Sequence, residues 1–253
     1  MRLNKTLGQH FLTNPKINEL IAKTAQIKAG DVVVEIGPGT GLLTDYLLEA
    51  GARVIAVEKS REFVARLREK YRGQNIEIIE DDVLNWKIEN SLKIENLKFK
   101  IIGNIPYYLT SHLFRVVLQE WPRPELIVFM IQKEVARRMI AKPPHMNMLA
   151  VLVQCYATPE IVKIVKAGNF TPVPKVDSAI VKLTPRGLAS GSLEAKPQCI
   201  LELAARGFKH PRKKLSNNLP EEMLERAGID PNRRAETLSL DEWKNCLLEN
   251  GQN

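Results

Sequence analysis

The sequence predicts an α/β fold, a parallel sheet covered by helices, followed by a small all-α C-terminal domain. Three observations carry this. A β-branched run at 32–34 continues through Glu35 and Ile36 into glycines at 37, 39 and 41 and then a helical pattern; this order marks a buried parallel strand, a tight turn and a helix start. Apolar strand patterns and amphipathic helix patterns alternate as far as Leu183, the arrangement that builds parallel strands with right-handed crossovers. Beyond Pro185-Arg186-Gly187-Leu188-Ala189-Ser190-Gly191-Ser192 only helical segments remain, and that composition suits a linker. The expected division is an α/β domain over 1–184, a linker over 185–195 and a helical domain over 196–253.

Composition narrows the partners. Lys and Arg number 37 against 29 Asp and Glu, giving a formal charge of +8 and a pI near 9.4, which favours an anionic partner such as nucleic acid or a membrane surface. Cys155, Cys199 and Cys246 lie too far apart for a C-x-x-C arrangement, and the four histidines are scattered. No metal site is expected, and a reducing compartment fits. The N-terminus lacks the apolar core of a signal peptide, and no apolar run approaches the roughly 18 residues of a membrane span. A soluble cytoplasmic protein is expected.

The elements follow in order. Asn14-Pro15 can cap and open a helix over 15–26; His10 and Phe11 before it read most simply as packing of an N-terminal arm. Strand 31–36 leads through the glycine turn to helix 40–50, closed by Gly51, then strand 53–58 and helix 60–72. The turn lies at a strand's carboxyl end, where open α/β sheets bind ligands. Glycine there lets the backbone turn and lets a ligand approach the main chain. The dinucleotide pattern G-x-G-x-x-G fails, because its third glycine would fall at Leu42. The spacing Glu35-x-Gly37-x-Gly39-x-Gly41 instead resembles motif I of S-adenosylmethionine (SAM) dependent methyltransferases, and an acid there suits a cationic ligand without a pyrophosphate. Glu58, 21 residues beyond Gly37, can take two ribose hydroxyls in either kind of site. A turn that merely joins strand to helix is the plainer alternative.

Strand 76–80 ends in Asp81-Asp82-Val83-Leu84. An acid here can accept from an adenine amino group, and Asp82 is chosen because Val83 begins an apolar pair that would wall the ring. Strand 98–102 runs into Gly103-Asn104-Ile105-Pro106-Tyr107-Tyr108. The exocyclic nitrogen of adenine is a poor nucleophile, and acceptors that hold its hydrogens promote attack without a strong base. Asn104 offers one acceptor, the Ile105 carbonyl before Pro106 another, and Tyr107 can stack on a flipped base. A plain Asn/Pro turn is the competing explanation.

Helix 109–120 and strand 125–131 continue the alternation, and Gln132-Lys133-Glu134-Val135-Ala136-Arg137-Arg138-Met139 opens a basic helix. Pro143 to Asn147 reads as a loop, 148–157 as a helix with Gln154 facing away from its apolar side, and 161–165 as a strand. The Pro-rich stretch 170–178 is expected to be an irregular loop carrying an exposed Phe170, before a last strand at 179–183. Helices are expected at 196–207, 211–218, 220–227 and 240–249, with Gly228 as a C-cap. Arg206-Gly207-Phe208-Lys209-His210-Pro211-Arg212-Lys213-Lys214 carries no acid; such a run is usually a solvated face, but Phe208 and the chain's overall charge favour phosphate contact.

Taken together and in this order, Gly8-Gln9-His10-Phe11-Leu12, Glu35-x-Gly37-Pro38-Gly39-x-Gly41, Asn104-Ile105-Pro106-Tyr107, Gln132-Lys133-Glu134-Val135-Ala136, Phe170-x-Pro172-x-Pro174-Lys175-Val176-x-Ser178 and Ala227-Gly228-Ile229-Asp230-Pro231 resemble the small-subunit ribosomal RNA adenine N6,N6-dimethyltransferases, the kasugamycin-sensitivity family. The resemblance covers essentially the whole chain. It implies a Rossmann-like SAM-dependent methyltransferase domain with a small helical C-terminal domain. The implied reaction is dimethylation of two adjacent adenosines near the 3′ end of small-subunit rRNA, in a ribosomal particle, by a monomer that needs neither metal nor membrane.

Matched by position, the resemblance assigns SAM to His10, Leu12, Glu35, Gly37, Gly39, Glu58, Asp82 and Asn104. His10 and Leu12 would line its methionine and ribose side, Glu58 the ribose hydroxyls and Asp82 the adenine. Asn104 would also meet the target amine, between Tyr107 and Phe170 as the two faces of a sandwich. Arg137, Arg138, Arg212, Lys213 and Lys214 would contact RNA. Two departures stand out: the stretch from Pro143 to Ala150 is not the Tyr-Gly-Leu-Ser type, and Tyr108 stands where Asn is frequent. The erythromycin-resistance type, which methylates a large-subunit adenosine, and a ribosome-assembly factor with secondary catalysis are the alternatives; the helical tail favours the small-subunit enzyme.

Overall fold

The computed structural model describes residues 10–90, 98–187 and 196–249. Leu7, Gly8 and Gln9 of the N-terminal motif and positions 188–195 of the expected linker lie outside the described residues.

The elements run β1 (Phe11–Leu12), α1 (Pro15–Thr24), β2 (Val32–Ile36), α2 (Leu42–Glu49), β3 (Arg53–Glu58), α3 (Arg61–Lys70), β4 (Ile76–Glu80), β5 (Phe99–Asn104) and α4 (Thr110–Arg115). They continue with β6 (Leu126–Gln132), α5 (Lys133–Met139), α6 (Met148–Tyr156), β7 (Ala157–Val165), β8 (Phe170–Thr171), β9 (Ser178–Pro185), α7 (Pro197–Gly207), α8 (Glu221–Arg226) and α9 (Leu240–Leu248). Seven strands form one sheet in the order β4-β3-β2-β5-β6-β9-β7. The β4-β3-β2-β5-β6 section is parallel and β9 runs antiparallel to β6. All five residues of β2 are buried, as expected for a central parallel strand covered on both faces. The chain forms a Rossmann-like sheet with helices and a C-terminal helical part.

Local signals explain the boundaries. Asn14 accepts a hydrogen bond from the Lys16 N–H at 3.1 Å, and Pro15 occupies the first helical position of α1. Asn147 accepts from the N–H groups of Leu149 and Ala150 and starts α6. Ser239 and Glu242 form a capping box on α9. Gly228 follows α8 with φ +68°, the left-handed conformation that a helix end asks of glycine.

Three expectations change. Residues 211–218 are not a helix. Only Leu215–Asn217 makes a 3₁₀ turn, because the N–H groups of Leu215 and Ser216 bond to the carbonyls of Arg233 and Pro231 rather than back along their own segment. The helix after Leu109 keeps α geometry only to Arg115 and widens to a π turn over Val116–Glu120. Phe170 is 2% exposed. Instead of sitting on an irregular loop it belongs to β8, which pairs antiparallel with β1 through Leu12 and Phe11, so the N-terminal arm covers it.

By contact density the chain divides into two compact units, Met1–Ala136 with Glu160–Pro185, and Arg137–Pro159 with Arg186–Asn253. In the first, Leu12, Ile21, Val33, Leu47, Val54, Val128 and Phe170 share one core. In the second, α6, α7, α8 and α9 pack Val151, Leu203, Leu224 and Trp243 together. Gln154 faces away from the apolar side of α6 but not into open solvent: its Nε2 donates to the carbonyls of Met139, the last residue of α5, and Ala141 just beyond it. Phe208 of the basic run packs its ring 6.1 Å from that of Trp243, so it serves this core. Among the described residues no helix is long and apolar enough to cross a membrane.

Trp243 is fully buried, and a Cβ at Gly207 would collide with its ring. Gly207→Ala normally gains about 1 kcal/mol of helix propensity, but overpacking here costs about 1–3 kcal/mol. The variant is expected to melt below the parent in thermal denaturation followed by circular dichroism. A higher Tm would contradict this packing.

Candidate active site

Parallel strands in one sheet bring their carboxyl ends to one edge, and four of them build the site. β2 ends at the glycine turn, β3 at Glu58, β4 before Asp82 and β5 at Asn104. Their ends line a single cleft in the first unit with His10, Leu12 and Tyr107.

The turn is shaped by three positive φ angles, +66° at Gly37, +57° at Gly39 and +81° at Gly41. Only glycine adopts these without strain. The space differs at each. A Cβ at Gly37 would meet nothing within 4 Å, one at Gly39 would press on Phe11 at 3.1 Å, and one at Gly41 would collide with the Tyr71 hydroxyl. That hydroxyl donates to the Gly41 carbonyl at 2.6 Å and lies 2.8 Å from Asp45 Oδ1. Glu58 holds the other side: Oε2 accepts from the Gly39 N–H at 3.1 Å and Oε1 from the Ser60 N–H at 2.8 Å. Burial raises the Glu58 pKa, and the two N–H donors work against that rise.

Glu35 sits beneath the turn, 1% exposed, accepting from Thr44 Oγ1 at 2.7 Å. Burial pushes its carboxyl up to about 7; Thr44 opposes the shift, and the charges of Asp45 and Glu58 reinforce it. Asp82 is placed differently. Its Oδ1 accepts from the Leu84 N–H at 3.1 Å and its Oδ2 pairs with Lys59 Nζ at 2.8 Å. Partial burial favours its neutral form, but Lys59 and Leu84 outweigh it and hold the pKa below the usual carboxylate value.

The amide of Asn104 is oriented by its nitrogen, which donates to the His10 carbonyl at 3.2 Å. His10 Nδ1 lies 2.7 Å from the Pro172 carbonyl; a carbonyl only accepts, so Nδ1 carries the proton. The Tyr107 ring packs against His10 with centroids 5.6 Å apart. Its hydroxyl meets the buried Ser178 Oγ at 2.9 Å. Phe170 borders the same cleft, but as a core side chain and not as the exposed ring expected of it.

The cleft therefore brings together His10, Leu12, Glu35, Gly37, Gly39, Glu58, Asp82, Asn104, Tyr107 and Phe170. Arg137, Arg138, Arg212, Lys213 and Lys214 belong to the second unit, where all five are exposed and, among the described residues, none forms an ion pair. Tyr71, Lys59 and Ser178 were not anticipated as supports of the site. Tyr71, just past α3, reads as one more apolar position of the expected helix 60–72, and only the fold brings Ser178 to Tyr107. Among the described residues no group of His, Cys, Asp and Glu could hold a metal ion.

Glu35 gives stability a pH dependence of defined sign. Between 4.5, the ordinary value, and about 7 the folded protein keeps a proton that the unfolded chain has released, so stability falls as pH rises through that window and levels off above it. The shift corresponds to about 3 kcal/mol. In urea denaturation at pH 5 and pH 8, Glu35→Gln is expected to lose less stability than the parent between the two, by roughly that amount. Parallel profiles would mean that Glu35 ionises normally.

The profile of the ribosomal RNA adenine dimethylase family matches residues 1–250. Ribosomal RNA small subunit methyltransferase A of Dehalococcoides mccartyi is 40% identical over 261 residues, covering 98% of this chain and 88% of that protein. The protein of the same name from Clostridium botulinum is 38% identical over 265 residues, covering 98% and 95%. Among solved structures, a dimethyladenosine transferase from Plasmodium falciparum is similar with a TM-score of 0.80 and 27% identity, over 96% of this chain and 98% of that one. The 23S rRNA methyltransferase ErmE is similar with a TM-score of 0.75 and 29% identity, over 94% and 98%. A family profile that spans almost the entire chain, relatives alike over nearly their full lengths and a cleft built from the strand ends agree: the chain belongs to the ribosomal RNA adenine dimethylase family.

Proposed function

We propose that this chain uses SAM to dimethylate the exocyclic amines of two adjacent adenosines near the 3′ end of small-subunit rRNA, acting as a cytoplasmic monomer on a ribosomal particle. The observation that carries the reading is Asn104 at the end of β5: its amide nitrogen is committed to His10, which leaves Oδ1 as an acceptor in the same cleft as the glycine turn.

The residues fit the cofactor. The open space at Gly37 lets a ligand reach the main chain, Glu58 and Asp82 present carboxylate oxygens for hydroxyl and amino donors, and Glu35 is a buried acid beneath a cationic ligand. SAM, when bound, supplies an electrophilic methyl group on its sulfonium. The chain supplies the rest. Asn104 Oδ1 and the Ile105 carbonyl accept from the target amine, so its lone pair is withdrawn from conjugation with the ring and directed outward. Tyr107 offers a ring face to a base turned out of its stack, and Ser178 fixes that ring. Phe170 backs the wall from the core. The exposed Arg137, Arg138, Arg212, Lys213 and Lys214 supply the phosphate contacts that make such binding salt-dependent. The similarity to ErmE keeps a large-subunit target as the second reading, and the names of the relatives at 38–40% identity favour the small subunit.

The test uses small subunits that lack the two dimethyladenosines, with nucleosides quantified by mass spectrometry. The parent protein is expected to restore both. Asn104→Ala is expected to slow single-turnover methyl transfer by on the order of a hundredfold while subunit binding changes little. Transfer to large-subunit rRNA instead, or an Asn104→Ala variant with the parent's rate, would overturn the reading.

A further inference from the structure

α1 buries Ile17, Asn18 and Ile21 along one face. An amide in that position is unusual, since burial leaves little water for a group that carries both donors and an acceptor. Asn18 is 4% exposed, no hydrogen bond of its side chain is found among the described residues, and its amide is not among the polar atoms sealed from solvent without a partner, so it keeps some access to the cleft. Most buried amides are satisfied. This one borders the cleft of the glycine turn beside Leu12, Leu42 and Leu43.

We infer that Asn18 is a further cofactor-binding residue, whose Nδ2 donates to the α-carboxylate at the amino-acid end of SAM. The inference rests on the cofactor reading above. Two observations set the end of the ligand. Glu58 and Asp82, which suit the adenosine half, stand on β3 and after β4 to one side of β2, whereas α1, besides packing on α2, reaches β6 on the other side of β2. The cleft also offers few cations: Lys59 is paired with Asp82, and His10 Nδ1 is spent on the Pro172 carbonyl. A carboxylate at the far end therefore needs a neutral donor. Asn18 is such a donor, held ready and unspent.

S-Adenosylhomocysteine and 5′-methylthioadenosine separate this contact from the rest, because the second keeps the adenosine and lacks the amino-acid end. Isothermal titration of the full chain with both ligands is the measurement. Asn18→Leu keeps the apolar packing of α1, and Asn18→Asp keeps the shape while removing the donor. Both are expected to bind S-adenosylhomocysteine at least tenfold more weakly, with 5′-methylthioadenosine affinity within about twofold of the parent. Equal losses for the two ligands, no loss for either, or an Asp variant that retains S-adenosylhomocysteine affinity would overturn the assignment. A parent protein that binds neither ligand would instead defeat the cofactor reading itself.

Discussion

The site depends on the hydrogen bond between the Glu58 carboxylate and the Gly39 N–H. Gly37, Gly39 and Gly41 give the turn after β2 its conformational freedom, and freedom alone would leave it mobile. Glu58 is buried at the end of the neighbouring strand, and its two oxygens fasten Gly39 on one side and Ser60 on the other. The Gly37 N–H adds a bond to the Val57 carbonyl, and Tyr71 closes the far end through Gly41. A turn that had to be glycine for steric reasons is thus held rigid by its surroundings. This is what a site arranged before its ligand arrives requires.

On the proposed reading, chemistry and RNA attachment fall on different parts of the chain. The acceptors and rings come from strand ends in the first unit, and the exposed basic residues come from the second. Rigid strands suit the first task because acceptors such as those proposed at Asn104 and the Ile105 carbonyl stabilise a transition state only when placed accurately. Surface Arg and Lys suit the second, since phosphate contacts are long-ranged and tolerate imprecision.

Much of this was legible in the sequence, for physical reasons. Strands 53–58 and 76–80 appear where the sequence put them: the first because a parallel strand buried on both faces is apolar nearly throughout, the second because its isoleucines at 76, 78 and 79 mark a half-buried edge strand. The residues of the glycine turn, Glu58, Asp82 and Asn104 were legible because sheet topology forces strand ends together. What failed was tertiary. Phe170 looked like a loop aromatic, and only the pairing of β8 with β1 across more than 150 positions buries it. The segment 211–218 has helical composition, but the loop at 231–233 captures its donors. Asn18 reads as a polar interruption of α1, and only the folded cleft reveals what it faces.

The central claim is that Glu58 both fixes the turn and serves the cofactor, and Glu58→Gln tests it most directly. Gln keeps the size of the side chain, but one end becomes an NH₂ donor facing a backbone N–H, so it cannot hold Gly39 and Ser60 together. The measurement is SAM affinity by calorimetry, with amide hydrogen exchange at Gly39 and Ser60. The account predicts at least a tenfold loss of affinity together with faster exchange at one or both amides. Parental affinity with unchanged exchange would contradict it.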